Sequence, residues 1–164
     1  MIRPAALALA VFALAATTAH AEVPEDDIEQ VLNELHEAAS KADGKTYWSL
    51  YTPDAVFIGT DVTERWTLPE FKAYAEPFFS KNKGWTYKAR SRNIKIADID
   101  CRCVAWFDEV LDSPSYGTVR GSGSLVRVGA DWKVSHYVLS FPVPNDIADK
   151  VVTDIKAFEA PKKP

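Results

Sequence analysis

The sequence lacks the motifs that mark the common nucleotide-dependent and metal-dependent enzymes. It contains no Gly-rich phosphate loop, no nucleophile elbow and no kinase motif. The segment Gly121-Ser122-Gly123-Ser124 lies inside a predicted strand with no helix after it, so we assign it no phosphate-binding role. Neither His36 nor His136 has a Cys or His partner nearby in sequence, so the spacing of a metal site is missing. We therefore expect neither a cofactor nor a metal.

Cysteine is scarce, because Cys101 and Cys103 are the only two in the chain. In a straight strand both side chains point to the same side, with Cα atoms near the upper limit of about 7 Å for a disulfide. An oxidising compartment permits such a bond, but the bond would be strained and easily reduced. We favour buried free thiols.

The chain also lacks an apolar run long enough to span a membrane, which takes about 20 residues. The apolar run at 5–16 follows the basic start Met1-Ile2-Arg3 and precedes Ala19-His20-Ala21, which has the form of a cleavage site. These features predict a secretory signal peptide at 1–21. We expect a periplasmic or secreted protein that has no membrane association after cleavage.

Neither sign of charge is in large excess, since 19 Lys and Arg stand against 23 Asp and Glu, for a formal net charge of −4. This mild acidity argues against nucleic acid as a partner. One basic run breaks the pattern, at 81–95. On a strand it places Lys88, Arg90 and Arg92 on one face, which we interpret as a solvated outer face in preference to an anion-binding patch.

Hydrophobic periodicity predicts three helices in the first half of the chain. The first covers 25–42 and places His36 on its polar side, as a surface histidine. Asp43 is the expected N-cap of a second, shorter helix. Thr67 and Glu70 have the spacing of a capping box at the start of a third, which carries an aromatic stripe.

Strand signals dominate the rest of the chain. A short strand ends at Ile58, and four long β-segments joined by tight turns follow Gly84. We predict an α+β domain in which three N-terminal helices pack on a strongly curved antiparallel sheet and enclose a cone. The domain is expected at 22–144, and a C-terminal helix with a disordered tail is expected at 145–164.

Four segments resemble a known family: FIGTDVTERWTLPEFKAY, CVAWFDEVLD, YGTVRGSG and WKVSHYVLSFPVPND. Together with the order of elements, they resemble the SnoaL-like branch of the NTF2-like superfamily, whose fold is a cystatin-like α+β cone. The resemblance implies a pocket inside the cone and a homodimer through the open face of the sheet. It implies no single activity, because that superfamily includes isomerases, cyclases, dehydratases, hydrolases and non-catalytic binders.

Three residues are candidates for acid/base chemistry. Asp61 lies in the elbow between the short strand and the third helix, at the predicted mouth of the cone. A neighbouring Trp66 would raise the pKa of Asp61 and suit it to act as a general base; the alternative is that Asp61 caps its own turn. His136 shares a strand face with Val134 and Val138, where it is either the partner of Asp61 across the cone or a hydrogen-bonded core histidine. Asp108 is the third candidate.

Asp108 and Glu109 are adjacent in a strand, so only one of them faces the cone. A carboxylate on either apolar face needs a partner, and we expect Arg120 of the next strand to supply it. Arg120 and Glu109 are also candidate ligand contacts. The other candidate ligand contacts are aromatic: Tyr47, Phe57, Trp66, Tyr74, Trp106 and Tyr137.

Three functions remain open at this point. The first is an exported protein that holds a small, largely apolar organic molecule in its cone. The second is an acid/base enzyme of isomerase, cyclase or hydrolase type that uses Asp61 and His136. The third is a dimerisation or interaction module with an interior filled by Phe and Trp side chains. The cavity and the groups that converge on it distinguish the three.

Overall fold

The computed structural model describes residues 25–161, so the predicted signal peptide at 1–21 and the last three residues lie outside it. The elements follow in the order α1 Glu25–Ser40, α2 Gly44–Ser49, β1 Tyr51–Ile58, β2 Arg65–Thr67, α3 Leu68–Phe79, β3 Lys88–Ile96, β4 Val104–Ser113, β5 Gly117–Val128, β6 Asp131–Ser140, a 3₁₀ turn Asn145–Ile147 and α4 Ala148–Glu159. The predicted α+β class is confirmed.

One curved, unclosed sheet of six strands forms the centre of the fold, in the order β2-β1-β6-β5-β4-β3. Strands β3 to β6 form an antiparallel meander, as the sequence predicts. Strand β1 joins its edge parallel to β6, and the short β2 pairs with β1. The last strand, β6, therefore lies beside the first, β1, in the middle of the sheet.

Helices α1 and α3 cover the inner face of the sheet with apolar stripes at helical spacing. Ile28, Leu32 and Leu35 of α1 are buried, as are Phe71 and Phe79 of α3. The predicted start of α3 is confirmed, because the Thr67 N–H donates to Glu70 Oε2 at 2.8 Å and forms one half of the capping box. This cap fixes the direction in which the chain leaves the elbow and enters the helix.

A β-bulge in β3 changes which side chains face the helices. Ala89 pairs with Leu111 and Ser91 pairs with Val110, so Arg90 is an extra residue without a partner in β4. Because side chains alternate between faces, one extra residue exchanges the faces of all that follow. Arg92 consequently lies on the inner face, and the prediction that it shares a solvated outer face with Lys88 and Arg90 is wrong.

A second bulge has the same effect in β6. Val134 pairs with Leu125 and His136 pairs with Ser124, which leaves Ser135 as the extra residue. Its hydroxyl lies 2.9 Å from Ser124 Oγ and donates to Ser124 O at 3.2 Å. Val134 faces the core before the bulge and Tyr137 faces it afterwards. The prediction that His136 shares a face with Val134 is therefore wrong.

The prediction of free thiols is also wrong, because Cys101 and Cys103 form a disulfide with a Cα–Cα distance of 5.1 Å. The two cysteines lie in the turn between β3 and β4, not in a straight strand. Between them Arg102 adopts a left-handed backbone with φ of 43°. This turn brings the two Cα atoms closer than an extended chain would.

Helix α4 lies apart from the core and has no buried residue. Its apolar side chains Val152, Ile155 and Phe158 are exposed. No helix among residues 25–161 is both long and apolar enough to cross a membrane.

Candidate functional site

A cavity of about 290 Å³ lies between the helices and the inner face of the sheet. This volume is at the small end of the range of roughly 300–1,000 Å³ that is typical of ligand pockets. Aromatic side chains make up much of the wall: Tyr47, Tyr51, Phe57, Trp66, Phe71, Tyr74, Trp85, Tyr87, Tyr116 and Tyr137. The interior is therefore open, in contrast to the filled cone expected of a pure interaction module.

Several of these rings lie nearly parallel. Phe57 stacks on Phe71 with centroids 4.0 Å apart and on Tyr137 with an interplanar angle of 2°. Trp66 stacks on Tyr74 at 4.6 Å. Rings that pack on one another lose little freedom when a ligand arrives, so the wall is preorganised.

A buried polar cluster lies beside the cavity and is centred on Glu109, which is fully buried. Its Oε1 accepts hydrogen bonds from His36 Nε2 at 2.8 Å and from Tyr137 Oη at 2.9 Å. Its Oε2 accepts from Arg92 Nε at 2.8 Å, and Arg92 Nη2 adds an ionic contact at 2.7 Å. Arg92 Nη1 also donates to Asn33 Oδ1 at 2.8 Å. Both carboxylate oxygens are thus paired, as a buried charge requires.

The cluster determines the ionisation of its members. Burial alone would raise the pKa of Glu109, but the hydrogen bond from His36 and the charge and hydrogen bond of Arg92 outweigh burial and lower it below its ordinary value of 4.5. Burial, together with the neighbouring carboxylate of Glu109, raises the pKa of the Tyr137 hydroxyl well above its ordinary value. Glu109 is therefore an anion at neutral pH, and Tyr137 stays a neutral hydrogen-bond donor.

Gly121 leaves the space that this cluster needs. A Cβ atom at this position would lie 2.3 Å from Tyr137 Oη and 2.8 Å from Glu109 Oε1. We expect Gly121→Ala to displace Tyr137 from Glu109 and to lower the free energy of unfolding by about 2 kcal/mol. Urea denaturation measures the loss. Gly117→Ala is an unsuitable control because Gly117 has φ of 71°, so the comparison is with Ser122→Ala; equal losses in both variants would contradict the prediction.

The elbow between β1 and β2 forms one rim of the cavity through Gly59, Thr60, Glu64 and Trp66. Asp61 itself is exposed, and its Oδ1 accepts from the Thr63 N–H at 2.8 Å. The hydrogen bonds from Thr63 lower the pKa of Asp61, which is the opposite of what a general base near neutral pH requires. The structure thus places Asp61 as the cap of its own turn.

The candidate residues fall on the two faces of the sheet. Those that line the cavity are Tyr47, Phe57, Trp66, Tyr74 and Tyr137. Those on the outer face are Trp106, Asp108, Arg120 and His136. Asp61 and His136 are therefore not brought together across the cone. Trp106 is 51% exposed, and Asp108 accepts a hydrogen bond from Asn93 at 3.2 Å.

The prediction that Arg120 is the partner of the buried carboxylate, which is Glu109, is also wrong. Arg120 pairs with Val110 across β4 and β5, and directly opposite residues share a face, so it points away from Glu109. Arg92 pairs with Glu109 instead, because the bulge at Arg90 places the Arg92 side chain on the inner face.

His36 is a cavity residue for which the sequence predicts the wrong position. It is not a surface histidine, because it is only 9% exposed and lines the cavity. The sequence holds a signal for this position: His36 follows the buried Leu32 by four residues and precedes the buried Ala39 by three, so it lies on the apolar side of α1. Among residues 25–161 no group of three or more His, Cys, Asp or Glu side chains could hold a metal ion.

The family model for the SnoaL-like domain matches residues 28–144, which is most of the chain and all of the cavity. The chain belongs to the SnoaL-like domain family. A search of curated proteins finds no match to the SnoaL-like chain.

Solved structures show the same fold. An NTF2-like protein of unknown function from Pseudomonas putida KT2440 is 18% identical and aligns over 74% of this chain and 89% of its own, with a TM-score of 0.61. A candidate aromatic ring hydroxylase from Novosphingobium aromaticivorans is 14% identical over 75% and 94%, with a TM-score of 0.61. A candidate dehydratase of the NTF2-like family from Streptomyces avermitilis is 12% identical over 73% and 96%, with a TM-score of 0.60. At these identities the likeness shows the fold alone.

Proposed function

We propose that this SnoaL-like domain binds a small, largely apolar organic molecule in its cone. The observation that carries the proposal is the open cavity of about 290 Å³ with its aromatic wall. Unfilled space gives up dispersion contacts, and ligand pockets are typically lined by apolar and aromatic side chains, so a ligand in this cavity would restore contacts that the empty protein lacks.

The charges around the cavity narrow the class of ligand. Among residues 25–161, no Lys or Arg lines the cavity. Arg92 lies behind Glu109 with a side chain only 5% exposed, so its charge is neutralised. Glu64 adds a carboxylate at the rim. An anionic ligand would meet no cation to replace its hydration, so a ligand without negative charge fits best.

The direct test is native mass spectrometry of the protein purified from its own cells, which we expect to show a bound small molecule.

A binding test with the neutral fluorescent probe N-phenyl-1-naphthylamine complements the mass spectrometry. Trp66→Ala is expected to weaken probe binding about tenfold, because a large aromatic side chain in a binding site can contribute more than about 1 kcal/mol. Trp106→Ala is the matched control, since Trp106 lies on the outer face and should leave binding unchanged. Equal losses in both variants would contradict a site in the cone.

Acid/base catalysis is the second candidate, and one observation favours it. His36 lines the cavity while Glu109 holds its Nε2, an arrangement that can orient an imidazole for proton transfer. Asp61 and His136, the pair expected from the sequence, give it no support. A ligand recovered with a changed mass after incubation with the wild-type protein, but unchanged with His36→Phe, would favour catalysis over binding.

We also propose export and homodimerisation. The Cys101–Cys103 disulfide supports an oxidising compartment, in agreement with the signal peptide predicted at 1–21. The outer face of the sheet, with Trp106 half exposed beside Val104, supports pairing with a second copy. Light scattering of the purified mature protein tests the dimer, and N-terminal sequencing of that protein tests the cleavage.

A further inference from the structure

The hydrogen bonds of His36 determine which of its ring nitrogens is left for a ligand. Nε2 lies 2.8 Å from Glu109 Oε1, and that carboxylate is ionised, so it only accepts hydrogen bonds. Nε2 therefore carries the proton in the neutral ring. Nδ1 is then an acceptor, because the neutral imidazole carries one N–H.

Nδ1 has no hydrogen-bond partner among the residues that the structure describes, whereas Nε2 is paired. The residue that carries it is only 9% exposed and lines the cavity. A ligand that fills the cavity and covers this acceptor removes water from it, and a ligand with an O–H or N–H group replaces that lost hydrogen bond. The free acceptor thus favours a ligand that donates a hydrogen bond over one that does not.

The cavity wall also carries a hydroxyl that can donate a hydrogen bond to a ligand. Tyr51 Oη donates to Tyr47 Oη at 3.0 Å, and both side chains line the cavity. The hydrogen of Tyr47 is therefore free to be donated to a ligand. Burial raises the pKa of Tyr47, so this hydroxyl keeps its proton. A ligand hydroxyl has the two functions that match, since it donates to Nδ1 and accepts from Tyr47.

We propose that the ligand is a neutral phenol, whose O–H donates to His36 Nδ1 while its ring packs against the aromatic wall. This inference rests on the proposed function, because it names the class of ligand for the same cavity. The near-parallel rings of Phe57, Phe71 and Tyr137 favour a flat partner over a bulky aliphatic one. The absence of Lys and Arg from the lining, within residues 25–161, disfavours the phenolate and carboxylates. Glu109 is a positioning residue that holds the imidazole in the accepting tautomer.

The test compares two probes of matched shape, 2-naphthol and 2-methylnaphthalene, by isothermal titration calorimetry at neutral pH. The methyl compound is the more hydrophobic of the two, so burial alone favours it. We expect the wild-type protein to bind 2-naphthol at least about fivefold more tightly, because the apolar analogue leaves Nδ1 unpaired. Equal or reversed affinities, with saturable binding of both probes, would overturn the phenol inference and leave the proposed function standing. Failure of both probes to bind would count against both.

Variants assign the preference to His36. His36→Phe keeps a ring of similar size and removes the acceptor, so it should bind 2-methylnaphthalene more tightly than 2-naphthol. His136→Phe is the matched control, because it makes the same substitution on the outer face of the sheet, away from the cavity, and should keep the wild-type preference. A preference lost equally in both variants would contradict the role of His36. If circular dichroism shows that His36→Phe is unfolded, the wild-type affinities for the two probes decide the question.

Discussion

Replacing Arg92 with Met is expected to lower the free energy of unfolding by about 3–5 kcal/mol at neutral pH. The change removes the counter-ion of Glu109, which is fully buried and cannot regain water. His36 and Tyr137 remain as hydrogen-bond partners, but the guanidinium is the permanent positive charge in the cluster. Urea denaturation followed by far-UV circular dichroism measures the loss.

The pH dependence of this loss has a definite sign. The pKa of Glu109 is lowered in the folded protein, so its ionised form contributes stability above its ordinary value of 4.5, and that contribution is lost as the pH falls through the folded-state pKa. Arg92→Met raises the pKa of Glu109. The difference in the free energy of unfolding between the wild-type protein and Arg92→Met should therefore be largest near neutral pH. It should shrink as the pH falls and Glu109 is protonated.

Arg90→Met is the matched control, because it removes the same charge from the same strand. Arg90 pairs with Asp112 on the outer face, where both side chains are more than half exposed. Exposed ion pairs contribute little to stability, so this variant should change the unfolding curve only slightly. A loss in Arg90→Met as large as that in Arg92→Met would show that the buried cluster has no special role.

Phe71→Ala is expected to lower the free energy of unfolding by about 3–5 kcal/mol, the usual range for removing a buried phenyl ring. Phe71 is 2% exposed, stacks on Phe57 at 4.0 Å and supports the wall of the cavity. Removal of the ring enlarges the cavity and takes away one of the aromatic contacts of its wall. Binding of N-phenyl-1-naphthylamine should therefore weaken as well. Thermal unfolding and probe titration measure the two effects.

Phe78→Ala provides the control on the same helix. Phe78 is 45% exposed and does not line the cavity, so its removal should have an effect well below that of Phe71→Ala. Because both substitutions place Ala in α3, their effects on helix propensity are the same. Similar losses in the two variants would mean that α3 is not held by the contacts of its buried face.

Much of the fold follows from local sequence signals. The capping box of Thr67 and Glu70, the apolar stripe of α1 and the antiparallel meander rest on spacings of a few residues, and the structure confirms each. The aromatic wall was predictable for a similar reason, because the large rings of Tyr47, Phe57 and Trp66 must be buried against something.

The polar cluster was harder to predict, because its composition depends on two single-residue irregularities. Without the bulge at Arg90, strict alternation would point Arg92 outward, and without the bulge at Ser135 it would point His136 inward. Neither position carries the glycine that often marks a bulge. The alternation of polar and apolar residues therefore gave the wrong face for both side chains.

Two further errors, at His36 and at the cysteines, have a common cause, because each depends on tertiary structure that a local pattern does not contain. His36 appears polar in the sequence, and its burial depends on Glu109, which lies 73 residues later. Local sequence predicts a straight strand at the cysteines, whereas they occupy a turn in which Arg102 has positive φ.

The bulge at Arg90 also affects the free border of the sheet. Strand β3 is an outermost strand, with unpaired backbone groups that another chain could extend into an aggregate. The irregular backbone at Arg90 interrupts that row of groups, and the outward charges of Lys88 and Lys95 repel an identical strand. At the opposite border, β2 offers only three residues. The same inserted residue that brings a guanidinium to Glu109 thus also makes this border of the sheet a poorer template for pairing with another strand.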